Sequence, residues 1–441
     1  MSTPNATYSD DCYVFHWLEP YGVMVTLDRL REQRGDLVGF VSVQTDIHGK
    51  VQSPERFNVM APTARRSLAK HLEMRTGGPD QGGLDWDAML NQVCELAMAR
   101  WWEGSPVIDL AAVEPTGRPL FLVRPFILDR APNVIFGDGS ANKSSFSLAL
   151  AVAVASGRDV FGLSALERRN VLYLDWEADE ETHAERLRAI CAAAELDVRS
   201  LLTALLYSSE HSGLVDLVPA IRRRIAQLDI GLIVVDSLGA ARGGEPESAE
   251  LTIRLMMAMR SWAVPVLTID HVTKQVATDK RAVARPFGSN YTWNLGRNLW
   301  HMRRLEQDDP AEDETSTVVT LQHAKINRGP LIRQPYAYRV RHTPGPTPDQ
   351  LAALSYERID AMTIPELVQR AHLSDQIRAV LHANNQALTV DDIVSALEID
   401  GIDANTASVG RTLRRYRNKH FAVVSAAPGS TTRWGLLSFA H

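Results

Sequence analysis

Apolar and polar positions along this chain fall into regimes that differ from one region to the next. In residues 1–125 the apolar runs are short. Val23 to Leu27 and Leu37 to Val43 flank a charged turn at Arg31 to Asp36, which predicts a hairpin. Pro62 to Met74 and Trp86 to Trp102 carry helical spacing, the second with Met89, Leu90, Val93, Leu96 and Ala97. The GGPDQGG stretch between them is flexible by composition. Arg65, Arg66, Lys70 and Arg75 make the first helix basic, which reads as a solvated face. This region reads as an N-terminal α/β domain, and no catalytic constellation stands out in it.

Residues 126–340 change regime. Buried-type strands alternate with helical stretches, the signature of a mostly parallel sheet. The strands are the Asn133–Phe136 run, VLYLDWE, Ala204 to Ser208, GLIVVDSL and PVLTIDH, with a closing pair at Asn298 to Arg303 and Ser316 to His323. Pro219 to Gln227 and Ala249 to Trp262 read as helices between them. Residues 341–370 hold Pro344, Pro346, Pro348 and Pro365 and read as a linker. Residues 371–441 read as three helices, Ser374 to Ala383, Ile393 to Leu397 and Asn405 to Lys419, then a hairpin turning at Pro428-Gly429. That order predicts a winged helix-turn-helix.

Composition narrows the picture. A length of 441 residues fits two or three domains, and the apolar fraction of 45% supports large cores. A formal charge of −6 excludes a globally basic coat, so nucleic-acid contact needs local basic patches. Cys12, Cys94 and Cys191 suggest neither a disulfide framework nor a zinc site. A polar start and the lack of a long apolar run lead us to expect a cytoplasmic protein with no membrane span.

The stretch NVIFGDGSANKSSFSLALAVAVASG, residues 133–157, carries the chemistry. It reads as a buried strand, a Gly-rich turn and a helix, the layout of a P-loop. Gly137, Asp138, Gly139, Ser140, Ala141, Asn142, Lys143, Ser144 and Ser145 would form the nucleotide cradle. Lys143 would reach the β- and γ-phosphates and Ser144 would ligate Mg²⁺. Asn142 stands where the pattern has its second glycine, and Asn tolerates the left-handed backbone better than most residues. Asp236, ending the most apolar strand, is the candidate metal-associated carboxylate; the plainer reading is a turn-capping Asp beside Ser237. Glu177, at another strand end, is the candidate water-activating base, with Asp175 and Asp179 as rivals. His271 is a candidate γ-phosphate sensor or a plain histidine.

Two loops and one helix could meet nucleic acid. GAARGGEPESAE (239–250) contains Arg242 among glycines, and VTKQVATDKRAVARP (272–286) holds Lys274, Lys280, Arg281 and Arg285 against the single acid Asp279. The last helix carries Arg411, Arg414 and Arg415, and its spacing places Arg411, either Arg414 or Arg415, and Asn418 along one face. Protein docking is the competing use of such a helix.

Six segments in order, GDGSANKS, VLYLDWEADEETHAERLRAI, LIVVDSL, VLTIDHVTK, PFGSNYTWNLGRNLW and HAKINRGP, resemble the RecA-like P-loop ATPases, closest to the RepA-type hexameric replicative helicases. The resemblance covers about 120–340, and as a composite the chain resembles phage- or plasmid-encoded ATPases. It implies ATP and Mg²⁺ as cofactors, hydrolysis at subunit interfaces and a homo-oligomer of hexameric kind. It also implies single-stranded DNA in a central pore, with duplex contact through the winged helix. Glu177, Asp236 and His271 match the family's base, metal-associated acid and strand-end polar residue. Arg297 looks like the arginine supplied across the interface. Lys325 resembles the basic residue near it, with Arg328 a neighbouring candidate. The expectation is a DNA-processing motor in replication or recombination, helicase or recombinase-like. The rival is an ATP-gated DNA-binding regulator.

Overall fold

In the computed structural model the chain divides into two compact units, Met1–Arg118 and Pro119–His441. The structure describes residues 3–8, 12–19, 22–104, 107–114, 117, 120–245, 248–272, 285–287, 290–305, 315–347, 350–364, 367–368, 372–425 and 431–437.

The first unit is an antiparallel meander, β1 (Asn5–Tyr8), β2 (Tyr13–Trp17), β3 (Val23–Gln33), β4 (Asp36–Thr45) and β5 (Gly49–Asn58), in sequence order. Alternation turns Phe15, Val23, Val25, Leu27, Val41 and Val43 onto one buried face. Helices Pro62–Thr76 and Trp86–Glu103 cover it with Leu68, Leu72, Trp86, Leu90 and Val93. The expected hairpin is present but longer. Arg31 to Gln33 continue the strand, and the reversal falls at Arg34 and Gly35, both at positive φ (54° and 86°).

The second unit is mixed α/β. After a short pair, β6 (Phe121–Val123) and β7 (Ile127–Leu128), come β8 (Pro132–Gly137), β9 (Asn170–Asp175), β10 (Leu205–Ser209), β11 (Ile230–Asp236), β12 (Val266–His271), β13 (Asn298–Arg304), β14 (Ser316–Ile326), β15 (Tyr336–Pro344) and β16 (Leu351–Ile359). Nine of them form one sheet, β10-β9-β11-β12-β8-β13-β14-β15-β16. The first six run parallel and the last three antiparallel. Strands β8, β9, β11 and β12 are buried almost throughout, as parallel strands between two helical layers must be. Helices Lys143–Ser156 and Glu180–Ala193 lie on one face, and Leu214–Gln227 and Ala249–Ser261 on the other.

The expected linker at 341–370 is corrected. β15 runs to Pro344 and β16 spans Leu351–Ile359, so much of this stretch belongs to the central sheet. Tyr338 and Tyr356 pack on Phe146 of the P-loop helix, with ring centroids 5.5 and 5.4 Å apart. The prolines misled because Pro344 ends a strand, where a missing amide costs little; Pro348 and Pro365 lie outside the described residues.

Beyond the sheet, helices Leu373–Asn384, Val390–Ile399 and Thr406–Arg415 enclose a small core of Ile377, Leu381, Ile393, Leu397, Val409 and Leu413. The antiparallel pair β17 (Phe421–Ser425) and β18 (Arg433–Leu436) adds Phe421 and Trp434 to it. Capping boxes at Thr389/Asp392 and Asn405/Ser408 start the second and third helices. The third helix stops at Arg415, four residues short of expectation. Asn418 sits at φ 62° with its amide bonded to the Phe421 carbonyl, off the helix face on which it was expected. The turn at Pro428-Gly429 lies outside the described residues. Among the described residues no helix is long and apolar enough to cross a membrane.

Candidate functional site

The cradle is built where β8 ends. A Cβ on Gly137 would lie 1.9 Å from the Met302 carbonyl oxygen, so the close approach of β13 requires glycine there. Asn142 adopts φ 61° and ψ 26°, the left-handed conformation that the motif's second glycine would supply. The helix begins at Lys143, whose Nζ donates to the carbonyls of Gly137 (2.9 Å) and Asp138 (2.6 Å). Burial lowers the Lys143 pKa, and the carboxylates of Asp236 and Glu177 pull the other way.

Lys143 faces a pocket of about 140 Å³ at the carboxyl ends of the strands. Gly139, Ser140, Asn142, Ser144 and Ser145 also line it, and Glu177, Asp236 and His271 close it from the neighbouring strands. β12 intervenes between the P-loop strand β8 and β11. Asp236 still reaches the pocket, because the helix from Lys143 packs across Leu267 of β12 and Leu232 and Val234 of β11.

The three candidate acids have separate tasks. Glu177 accepts a hydrogen bond from the Ser237 hydroxyl, and its Oε1 lies 3.4 Å from His271 Nε2. The His271 contact, with help from Ser237 and against partial burial, holds the Glu177 pKa below the usual glutamate value. Asp175 is fully buried and points away from that role. It accepts from the amides of Glu177 (3.0 Å) and Ala178 (3.1 Å) and from the Tyr207 hydroxyl (2.9 Å), and lies 3.1 Å from His183 Nε2. It therefore fixes the turn that presents Glu177. Asp179 caps the next helix by accepting from the Thr182 amide at 2.7 Å. The Asp236 carboxylate accepts from the Tyr173 hydroxyl at 2.7 Å, and among the described residues its other oxygen, Oδ1, is buried without a hydrogen-bond partner. Burial raises its pKa, opposed by hydrogen bonds from Tyr173 and Ser144.

Sequence reading missed Arg186, which lines the pocket from helix Glu180–Ala193. The signal was present in ETHAERLRAI, where His183 and Arg186 stand three apart on one helical face. It missed the tyrosines as well, because Tyr173 and Tyr207 read as ordinary strand residues.

Other candidates lie elsewhere. The Arg297 amide donates to the Pro132 carbonyl at the start of β8, 2.9 Å away. It thus stands at the edge opposite the P-loop, about 17 Å away along the strand. Lys325 is near Arg297, but its Nζ is committed to the carbonyls of Trp293 (2.6 Å), Asn294 (2.9 Å) and Gly296 (3.0 Å). The structure therefore brings neither residue to its own chain's phosphate pocket. Arg242, expected in a loop that meets nucleic acid, is corrected: it is buried and pairs with buried Asp270 at 3.2 Å, bonding also to the Phe287 carbonyl and Thr292 hydroxyl. Arg285 folds back over the Trp293 ring, 5.4 Å from its centroid. Lys274, Lys280 and Arg281 lie outside the described residues. Arg411, Arg414 and Arg415 are exposed on helix Thr406–Arg415.

Comparison with known proteins agrees with this geometry. Residues 105–277 match a family described as AAA domain. A search of curated proteins found no match. Among solved structures, the crystal structure of the KaiC-like protein PH0186 from the hyperthermophilic archaeon Pyrococcus horikoshii OT3 aligns with 57% of this chain and 99% of that chain. That alignment has 13% identity and a TM-score of 0.37. On the P-loop geometry, the sheet around it and the match over residues 105–277, the second unit holds a P-loop within a region similar to the AAA domain family.

Proposed function

We propose that this protein is an ATP-dependent motor that acts on DNA in replication or recombination and works as an assembly of several copies. Helicase activity is preferred over a recombinase-like handling of strands. The observation that carries the reading is the arrangement at the pocket: Glu177, braced by Ser237 and His271, faces Lys143 and Asp236 across about 140 Å³. In hydrolysis, water attacks the γ-phosphorus, Glu177 accepts its proton, and ADP leaves. Lys143 stabilises charge on the phosphates, and His271, touching Glu177, senses whether the γ-phosphate is present.

The residues fit Mg²⁺. Among the described residues Asp236 Oδ1 is buried without a donor, and the Ser144 hydroxyl lies beside the same carboxylate. Bound there, the ion would neutralise charge on the β- and γ-phosphates. Arg297 stands on the opposite sheet edge, which supports a finger that acts on a neighbouring subunit's nucleotide.

ATP turnover of the wild type, Lys143→Ala and Glu177→Gln, with and without single-stranded DNA, tests the reading. Both variants should lose about 100-fold or more, and single-stranded DNA should stimulate the wild type. Equal background rates in all three would sink the enzyme. A site-specific duplex preference without stimulation would favour the second reading, an ATP-gated DNA-binding regulator. The exposed arginines of helix Thr406–Arg415, beside the β17–β18 pair, are what favour that alternative.

A further inference from the structure

Two openings on the second unit share lining residues, none of which lines the pocket at Lys143. The outer one, about 540 Å³, lies between the β14–β15 connection and the C-terminal helices, and Arg333, His372, Asp375, Arg378, Arg415 and His420 line it. Three guanidinium groups and two imidazoles thus meet a single carboxylate. That carboxylate is already engaged, with Arg378 Nη1 3.5 Å from Asp375 Oδ1. Among the described residues, neither Arg333 nor Arg415 has a carboxylate partner, and both are exposed. In a chain of net charge −6 this is a pronounced local excess of positive charge. The wall also holds Tyr416, with the His420 ring 5.5 Å away and the Arg415 guanidinium 5.7 Å over its face.

The inner opening, about 440 Å³, shares Arg333, Gln334, His372 and Asp375 with the outer one. Leu331, Ile332, Met362 and Leu367 line it, together with Arg303. A cationic mouth leading to an apolar recess suits a ligand that alternates anionic groups with flat, poorly hydrated rings.

We propose that this cleft binds single-stranded nucleic acid, with backbone phosphates on Arg333, Arg378 and Arg415 and an unstacked base in the recess. This rests on the reading that the protein acts on DNA, and adds a site apart from both the nucleotide pocket and the pore-type loops. A duplex keeps its bases stacked and could not fill the recess. A mononucleotide would leave cations unused, because arginines stand on both openings.

The test is fluorescence anisotropy of a labelled dT oligonucleotide of about 15 nucleotides. It uses the full chain without ATP, so the outcome is independent of turnover. Arg333→Glu/Arg415→Glu should bind about tenfold or more weakly, with a salt slope shallower by about 1.4, the equivalent of two phosphate contacts. The same double change to Gln should give a smaller loss. Arg158→Glu, an exposed arginine just beyond the P-loop helix, should match the wild type. Affinities alike in the Glu double variant and the wild type would overturn the proposal. So would a wild type that does not bind the oligonucleotide, or competition by AMP or duplex as effective as by the unlabelled strand. A Glu double variant that binds like the wild type, or effective competition by AMP or duplex, leaves the turnover experiment untouched, whereas a wild type that does not bind counts against the DNA reading as well; an inactive wild type would leave this titration readable.

Discussion

Asn142 holds a backbone conformation that costs most L-residues about 1–2 kcal/mol. Asn and Gly accept it more readily, because a short amide can bond locally and glycine has no Cβ. Asn142→Gly should therefore stay within about 0.5 kcal/mol of the wild type in denaturant unfolding, while Asn142→Ala should lose about 1 kcal/mol. Identical midpoints for Ala and Gly would show that the loop does not depend on this conformation. The same scale explains why Glu177 was legible and its support was not. A carboxylate at a strand end, just past a buried run, is a local pattern. That Asp175 would be spent on the Glu177 and Ala178 amides, and Asp179 on a helix cap, depended on where each carboxylate pointed after the turn closed.

At the scale of elements, Lys325 ties β14 to the short helix Asn290–Leu295 and the turn after it. Its three donors hold the carbonyls of Trp293, Asn294 and Gly296, immediately before Arg297. Burial, followed by the nearby Arg297 charge, lowers the Lys325 pKa. In this chain Lys325 is a positioning residue for the Arg297 segment. Lys325→Met should cost about 2–3 kcal/mol in unfolding, because charge-assisted hydrogen bonds to three carbonyls are lost together. Unchanged stability would mean that water replaces the ammonium without loss. HAKINRG marked a basic residue in a strand, but it carried no sign of which carbonyls that residue would meet. The contact joins β14 to a turn about 30 residues earlier in the chain.

At the scale of the whole second unit, one buried ion pair ties the first segment proposed from sequence as a nucleic-acid loop to β12, just ahead of the second. Arg242 pairs with Asp270 at 3.2 Å, both side chains inaccessible, and bonds the Phe287 carbonyl. Burial pushes the Asp270 pKa from 3.8 up to about 6, against the pull of Arg242. A carboxyl raised on folding favours the folded state while protonated. Its contribution is full below 3.8 and lost as pH rises through about 6. Arg242→Met removes the counter-charge, so it should cost about 3 kcal/mol at alkaline pH and markedly less near pH 5, where Asp270 can stay protonated. Denaturant unfolding at the two pH values checks this, and a pH-independent loss would refute it. The sequence by itself determined the P-loop, the strand just before Glu177 and those ending at Asp236 and His271, the alternation behind the parallel half-sheet and the three C-terminal helices, because each depends on residues close in the chain. Only the tertiary structure decided that β15 and β16 extend the sheet, that Arg242 is buried, that Arg186 reaches the pocket and that Arg297 stands at the opposite edge. Those follow from strand order and helix crossing, which bring together residues that no local spacing relates.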